Sequence, residues 1–384
     1  MARFEALLTP AGQELLATLA GEPGGPGAAL RLSTRLRARY PAGLVADALT
    51  QHELRLQARG KFTRAMDMYF TRAGLEQASA EVVARYRARR YARAGPLADL
   101  CCGIGGDLAA LATGGQPVLA VDSDPLHLRI AEANAAVQQV AASVTALVAD
   151  VRDVSLDWVS AAFIDPARRA GSRRLRPGVS EPPLEWCLSL ASRLGRVGIK
   201  AAPGLPHAAV PPGWELEFIA VGRDLKEAAL WSPRLATAGA RATILPGGHT
   251  LTRQPGEPVP VREPGGFLFD PNPAVTRAGA VADLARRLGA WQIDEQIAFL
   301  SADDPAVTPF ARSLRVIDSA PWNQKRLPAR LRELDIGAID IRRRGLAGDV
   351  GQLHRSFRLS GSRRAILVMT RLRNRPWALV CVPA

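Results

Sequence analysis

Hydrophobic and polar positions change their rhythm near residue 96. Before it, apolar residues recur at helical spacing, as in "YPAGLVADALTQHELRLQAR" and "SAEVVARYRARRYAR", the second densely basic on its polar face. "GEPGGPGA" at 21–28 breaks the first helices. An apolar, aromatic stretch, "KFTRAMDMYFTRAGLEQAS", lies between the two helices and ends in a glycine turn with a helix cap expected at Ser79. From Leu97 the apolar runs shorten: "LADLC", "PVLAVD", "VTALVAD", "AAFID" and "RVGIKA". They are too short for helices, and helical patterns separate them. Such alternation predicts crossover units and a parallel sheet covered on both faces.

"WELEFIAVGRDLKEAALW" then reads as two antiparallel strands around a Gly-Arg-Asp turn. Residues 246–266 are rich in Pro and Gly and predict a connecting loop; helices are expected around 273–300. The tail offers "RSLRVID", "GAIDIRRRG", "RRAILVMTRLR" and "PWALVCV" as strands, with "NQKRLPARLRELD" and "DVGQLHRSFRL" as helices. It predicts a small, basic α/β unit.

Composition narrows the class. The 384 residues are 47% hydrophobic, enough for globular domains with proper cores. No apolar run reaches membrane-span length, and the N-terminus lacks the features of a signal peptide, so a cytoplasmic protein is expected. Cys101, Cys102, Cys187 and Cys381 form no C-x-x-C pair, and the five histidines make no metal spacing, so no metal is expected. The net charge of +14 points to a polyanionic partner, although 46 of the 50 basic residues are arginine, a bias that GC-rich coding also produces.

The decisive stretch is "LADLCCGIGGDLAAL". Gly103, Gly105 and Gly106 let backbone approach a ligand at the carboxyl end of the first strand. Asp99 before the loop and Asp107 after it would repel a pyrophosphate but suit an ammonium group. Asp122 ends the second strand, placed to accept hydrogen bonds from ribose hydroxyls. Asp150 ends the third and can accept the exocyclic amine of adenine, while Val151 offers its backbone N–H to the ring. Adenine, ribose, a cationic amino acid and no phosphate together describe S-adenosylmethionine.

On these motifs the chain resembles the class I S-adenosylmethionine-dependent methyltransferases. "DLCCGIGGD", "VDSDP", "AD" at 149–150 and "FIDPAR" look like their first four motifs. The resemblance implies a Rossmann-like α/β sheet of order 3-2-1-4-5-7-6 with strand 7 antiparallel. It also assigns Asp99, Cys101, Gly103 and Gly105 to the methionine end, Asp122 to ribose and Asp150 to adenine; Asp107, Ser123 and Val151 are further candidate cofactor-binding residues. The whole chain resembles the bacterial methyltransferases with a THUMP-like C-terminal domain, through "KFTRAMDMYFTRAGLEQAS", "IKAAPGL" and "DIRRRG". The first of these is also similar to the trimethylguanosine synthases. The implied layout is an N-terminal helical lobe or lid at 1–95, a catalytic domain at 96–248 and a small basic α/β domain at 262–384.

"AAFIDPARRAGSRRLRPG" carries the reaction. Methyl transfer needs a presented lone pair and in-line geometry. Amine methylases place an acid or amide, then two prolines and an aromatic ring, at this point. Here Asp165 and Pro166 are kept, but Ala167 and Arg168 follow, so the stacking ring is missing. The Arg168 guanidinium can stack on a base or clamp a phosphate, or it is a plain surface arginine. Phe62, Tyr69 and Phe70 are alternative stacking rings or lobe core. Lys200, ending the fifth strand, either reaches the active site or makes a structural salt bridge. His207 lies on the following loop. A pyrimidine-carbon methylase would need a cysteine nucleophile after strand five, where there is none. The expectation is methylation of a base nitrogen in RNA, tRNA or rRNA. The rivals are an RNA-binding protein that keeps a cofactor pocket without catalysis, and a small-molecule methyltransferase.

Overall fold

A computed structural model describes all residues except 168, 171–172, 175–179, 347–348, 350, 352, 355–356 and 358. The chain forms two compact units. The first is Met1–Glu215 with Ala228–Thr237, and the second is Leu216–Glu227 with Ala238–Ala384.

The first unit opens with helices α1 (Ala2–Leu8), α2 (Pro10–Leu19), α3 (Pro26–Leu36) and α4 (Ala42–Ala58). Thr9 caps α2 by accepting the Gly12 N–H, with Pro10 preset for the first turn. Short helices α5 (Arg72–Gln77) and α6 (Glu81–Ala88) follow. Leu15, Leu19, Val45, Phe62 and Met68 share one apolar core with Ile104 of the glycine loop.

The sheet comprises β1 (Leu97–Leu100), β2 (Val118–Asp122), β3 (Val144–Val148), β4 (Ala161–Ile164) and β5 (Arg196–Ala201). All pair in parallel, in the order 3-2-1-4-5. Strand β6 (Glu215–Val221) leads into β7 (Asp224–Trp231), whose Ala228–Trp231 stretch lies antiparallel against β5. The antiparallel seventh strand implied by the resemblance is therefore present. β1 and β4 are buried along their whole length, which explains their unbroken apolar sequences. Helices α7 (Leu108–Ala112), α8 (Pro125–Val137) and α9 (Leu184–Leu194) are the crossovers. Asp124 caps α8, accepting the N–H groups of Leu126 and His127.

In the second unit β6 pairs in parallel with β8 (Ala240–Leu245), and β8 pairs antiparallel with β9 (His249–Thr252). A seven-stranded sheet follows, built from β10 (Phe267–Pro271), β11 (Trp291–Gln292), β12 (Leu300–Ala302), β13 (Ala311–Pro321), β14 (Ile336–Arg343), β15 (Arg363–Leu372) and β16 (Arg375–Pro383). Its order is 11-12-10-13-16-15-14, antiparallel except for β14 with β15. Helices α10 (Pro273–Ala278), α11 (Val281–Leu288) and α12 (Leu327–Glu333) complete the unit. One face of β15 packs with Leu268, Ile293 and Phe299, and the other with Leu327, Leu331 and Phe357.

Several expectations are corrected. β9 lies within the stretch expected to be a loop, β8 is a strand for which the sequence pattern made no prediction, and the 273–300 helices end at Leu288. Ser79 is not a helix cap: α6 starts after Ala80 without a side-chain cap, and Ser79 Oγ instead accepts from Arg87 at 2.6 Å. Among the described residues, no helix is long and apolar enough to cross a membrane.

Candidate active site

The carboxyl ends of β1, β2, β3 and β4 carry Asp99, Asp122, Asp150 and Asp165. After β1 the backbone turns three times through left-handed conformations, at Cys101 (φ 59°), Gly103 (φ 54°) and Gly105 (φ 82°). A non-glycine residue held there costs about 1–2 kcal/mol, so Cys101 marks a strained point. At Gly105 a Cβ would lie 3.2 Å from the Cα of Ala131 on α8, so glycine is required by packing as well as by φ. At Gly103 a Cβ would meet nothing within 4 Å; the loop is open on that side.

Asp122 ties this loop to β2. Its Oδ2 accepts the Gly103 N–H at 2.7 Å and its Oδ1 the Asp124 N–H at 2.9 Å. Each oxygen keeps a second lone pair for a hydroxyl donor. Ser123 is exposed beside it, and Val151 is buried after β3.

Asp99 is 1% exposed, and its Oδ2 has no hydrogen-bond partner. Burial pushes its carboxyl well above the usual carboxylate range, with Asp107, Asp165 and Asp122 adding to the effect and Arg87 opposing it. A buried acceptor without a donor costs about 1–3 kcal/mol unless something polar meets it. Asp107, Asp122 and Asp165 thus all act on Asp99, with Arg87 as a countercharge. This is a place for a cationic ligand.

Two of the expected cofactor acids carry arginine partners. Asp107 is buried and paired to Arg87, whose guanidinium stacks over Phe163 at 4.5 Å. Helix α6 therefore buries a cation on the face turned to the glycine loop, where the sequence pattern put only a basic polar face. Asp150 Oδ1 accepts the backbone N–H and the Nε of Arg152, both at 2.9 Å, and Oδ2 accepts its terminal nitrogen at 2.5 Å. Those bonds hold the exposed Asp150 carboxyl down to about 2.

At β4, Asp165 Oδ2 accepts from Lys200 Nζ at 2.6 Å. Lys200 is buried at the end of β5 and also donates to the Gln77 carbonyl at 3.3 Å. The two readings of Lys200 merge: it makes a salt bridge, and the bridge is to the proposed catalytic acid. Pro166 is buried next to it. Arg168 lies outside the described residues. Phe62, Tyr69 and Phe70 are core, not presented rings: each is buried, Phe62 against Phe70 and Tyr69 against Phe4. His207 is exposed on its loop. Burial raises the thiols of Cys101 and Cys187, that of Cys187 to about 12, so neither is a ready nucleophile.

The 60–80 segment packs on the glycine loop. Asn134 of α8 bridges them: its Oδ1 accepts the Tyr69 N–H, and its Nδ2 donates to the carbonyls of Tyr69 and Ile104.

An uncharacterized S-adenosylmethionine-dependent methyltransferase of Mycobacterium tuberculosis strain CDC 1551 is 38% identical to this chain over 310 residues, covering 79% of the chain and 84% of the relative. The chain belongs to the S-adenosylmethionine-dependent methyltransferases. The counterpart in strain H37Rv matches to the same extent. Within this methyltransferase, residues 95–172 match the RNA cap guanine-N2 methyltransferase family and residues 311–383 the THUMP domain-like family. Residues 1–58 match a domain of unknown function. A Porphyromonas gingivalis W83 protein, solved by crystallography as a candidate methyltransferase, shares the fold across 97% of this chain and 98% of its own, with a TM-score of 0.74 at 18% identity. The methyltransferase uses S-adenosylmethionine, and its strand-end crevice fits that cofactor: the unpartnered Asp99 oxygen meets the need of an ammonium, and the open side at Gly103 leaves room for backbone approach.

Proposed function

We propose that this methyltransferase modifies a base nitrogen in RNA, tRNA or rRNA. The observation that carries the reading is Asp165. One carboxylate oxygen is fixed by Lys200, and the other, Oδ1, has no partner among the described residues. Asp165 is partly exposed beside the acids of the cofactor crevice. A base amine donating an N–H to Oδ1 would have its remaining lone pair turned by that bond. Pro166, with no N–H of its own, offers a carbonyl for a second N–H. Lys200 keeps Asp165 in one place and balances its charge.

When bound, S-adenosylmethionine supplies an electrophilic methyl group on a sulfonium. Asp99, Cys101, Gly103, Gly105 and Asp107 would hold its methionine end, Asp107 acting through its hold on Arg87. Asp122 and Ser123 would take the ribose, and Asp150 and Val151 the adenine. On taking up the methyl group, the accepting nitrogen would gain positive charge and would have to give up a proton. The Asp165 carboxylate stabilises that charge and can accept the departing proton. Arg168 belongs to the same proposal as a stacking or phosphate-clamping group. In this reading residues 1–95 form the helical lobe, 96–248 the catalytic domain and 262–384 the RNA-holding domain.

The test is nucleoside mass spectrometry of RNA from cells lacking the protein. One methylated nucleoside should disappear and return with the wild type but not with Asp165→Ala. In vitro that variant should lose about 100-fold or more in turnover while S-adenosylhomocysteine affinity stays within a few-fold. An unchanged nucleoside profile would remove RNA as the substrate. Parallel loss of turnover and affinity would make Asp165 a cofactor ligand.

A further inference from the structure

The second unit contains a cluster of cations that nothing in the reaction uses. Asp270, on β10, is buried. Its Oδ2 accepts from Arg223 at 2.8 Å, and its backbone carbonyl accepts from the same guanidinium at 3.1 Å. Arg344, just beyond β14, approaches the other oxygen at 3.1 Å and lies over the Phe299 ring at 5.3 Å. The turn presenting Arg223 is pinned, because Asn272 Nδ2 donates to the Gly222 carbonyl at 2.8 Å.

Two more guanidiniums join this group. Arg312 of β13 is the direct cross-strand partner of Asp270, so the two side chains leave the same face of the sheet. Arg342 precedes Arg344 by two residues on β14. Burial lowers Arg223 from its ordinary range and Asp270 opposes this, while Arg312, Arg342 and Arg344 each lower it further. All three therefore sit within electrostatic reach of Arg223. Neither Arg312 nor Arg342 makes an ion pair with a carboxylate among the described residues.

Two guanidiniums, of Arg223 and Arg344, thus meet at Asp270, and those of Arg312 and Arg342 lie within electrostatic reach of Arg223. Folding them together works against mutual repulsion in a partly desolvated place. A protein with no use for the charge would lose little by replacing one with a neutral residue. The chemistry that balances such a cluster is an oxyanion with several acceptor oxygens, since planar guanidiniums bind phosphate in bidentate fashion. Asp270 holds Arg223 and Arg344 in position, which leaves Arg312 and Arg342 as the pair able to meet a ligand.

We propose that Arg223, Arg312, Arg342 and Arg344 form a phosphate-binding pocket that takes a phosphodiester of the RNA backbone. This rests on the reading of RNA as the substrate. It narrows the RNA contact of the basic tail to one site, of which the "RRR" run supplies Arg342 and Arg344.

The test compares the full-length wild type with Arg312→Gln/Arg342→Gln, neither residue being paired to Asp270. A circular dichroism melt confirms that the variant folds. Binding of a short single-stranded RNA is followed by anisotropy across a salt series, and binding of inorganic tripolyphosphate by calorimetry. The variant should lose tripolyphosphate binding, and its plot of log affinity against log salt should flatten by about 1.4, roughly 0.7 for each lost single-strand phosphate contact. If the variant matches the wild type with both probes, the pocket is overturned. If it loses tripolyphosphate but keeps the wild-type RNA slope, the pocket holds free phosphate and the backbone assignment is overturned. Failure of the underlying RNA reading is seen separately, as an unchanged nucleoside profile in cells lacking the protein.

Discussion

Replacing Asp99 by asparagine should move stability and cofactor affinity in opposite directions. Asp99 is buried with one oxygen unpartnered, and its carboxyl is raised well above the usual range, chiefly by burial. Between the ordinary carboxylate range and that raised value, the folded protein holds a proton that the unfolded chain has released. Stability from this group is therefore full at low pH and is lost as pH rises through the raised value. Asparagine keeps the shape and removes the ionisable group, so the cofactor-free variant should resist denaturant better than the wild type at the alkaline end. Cofactor binding has the reverse sign. An ammonium favours the carboxylate, so binding expels the proton and affinity should climb with pH, by at most about tenfold per pH unit for one proton. Asparagine also gives up a charge-assisted hydrogen bond worth about 1.5–3 kcal/mol, or roughly 10- to 100-fold in affinity. The assay is calorimetry with S-adenosylhomocysteine from slightly acid to alkaline pH, in two buffers of different ionisation enthalpy. A wild type whose affinity ignores pH and buffer, or an Asp99→Asn protein that binds as tightly, would refute the assignment of Asp99 to the ammonium.

Two further perturbations act on the same loop. Asp122→Ala removes the carboxylate that anchors the Gly103 and Asp124 N–H groups, and should weaken S-adenosylhomocysteine binding by about 1–3 kcal/mol; unchanged affinity by calorimetry would free Asp122 from the ribose. Gly105→Ala adds a methyl 3.2 Å from Ala131 to a left-handed backbone cost of about 1–2 kcal/mol. Gly103→Ala carries the backbone cost alone, so urea unfolding should rank Gly105→Ala as the more damaging, and the reverse order would contradict the packing described here.

The parts legible in the sequence are those where one residue type has one use. Short apolar runs marked β1 to β5; β1 and β4 are buried along their whole length, whereas β3, at the sheet edge, kept the apolar pattern although Leu147 and Val148 are exposed. The glycines at 103 and 105 were readable because left-handed turns between strand and helix require them. The partners of the acids were not readable. Arg87 belongs to a helix whose pattern sends arginines outward, yet it is 1% exposed because Asp107 and Phe163 lie against it. Periodicity reports the average face of a helix, and a single cation paired inside breaks that average. The arginine hold on Asp150 is two residues long and depends on a turn that spacing does not encode. β8 is not marked in the sequence because its strand residues, "ARATIL", lie between a Gly-Ala run and a Pro-Gly-Gly turn, and its pairing with β6 is a tertiary choice. Phe62, Tyr69 and Phe70 could equally stack on a base or fill a core; packing decided for the core.

Those buried partners say how the helical lobe is attached. If α1 to α6 only leaned on the sheet through apolar contacts, their position would be set by shape alone, and a small slide would cost little. Three directional ties remove that freedom. Arg87 joins α6 to Asp107 at the end of the glycine loop. Asn134 spends its carbonyl and its amide on Tyr69 and Ile104, locking the 60–80 segment to both the loop and α8. Lys200 spans from the Gln77 carbonyl to Asp165. Each tie ends on a residue of the loop or on the acid of β4, and breaking the Arg87 or the Asn134 tie takes the partner from buried Asp107 or from the buried Asn134 amide, at a cost of about 1–3 kcal/mol or more. The lobe thus acts as one wall of the strand-end crevice. The geometry of Asp165 then depends on residues more than 80 positions earlier in the chain, through a single ammonium group that both walls share.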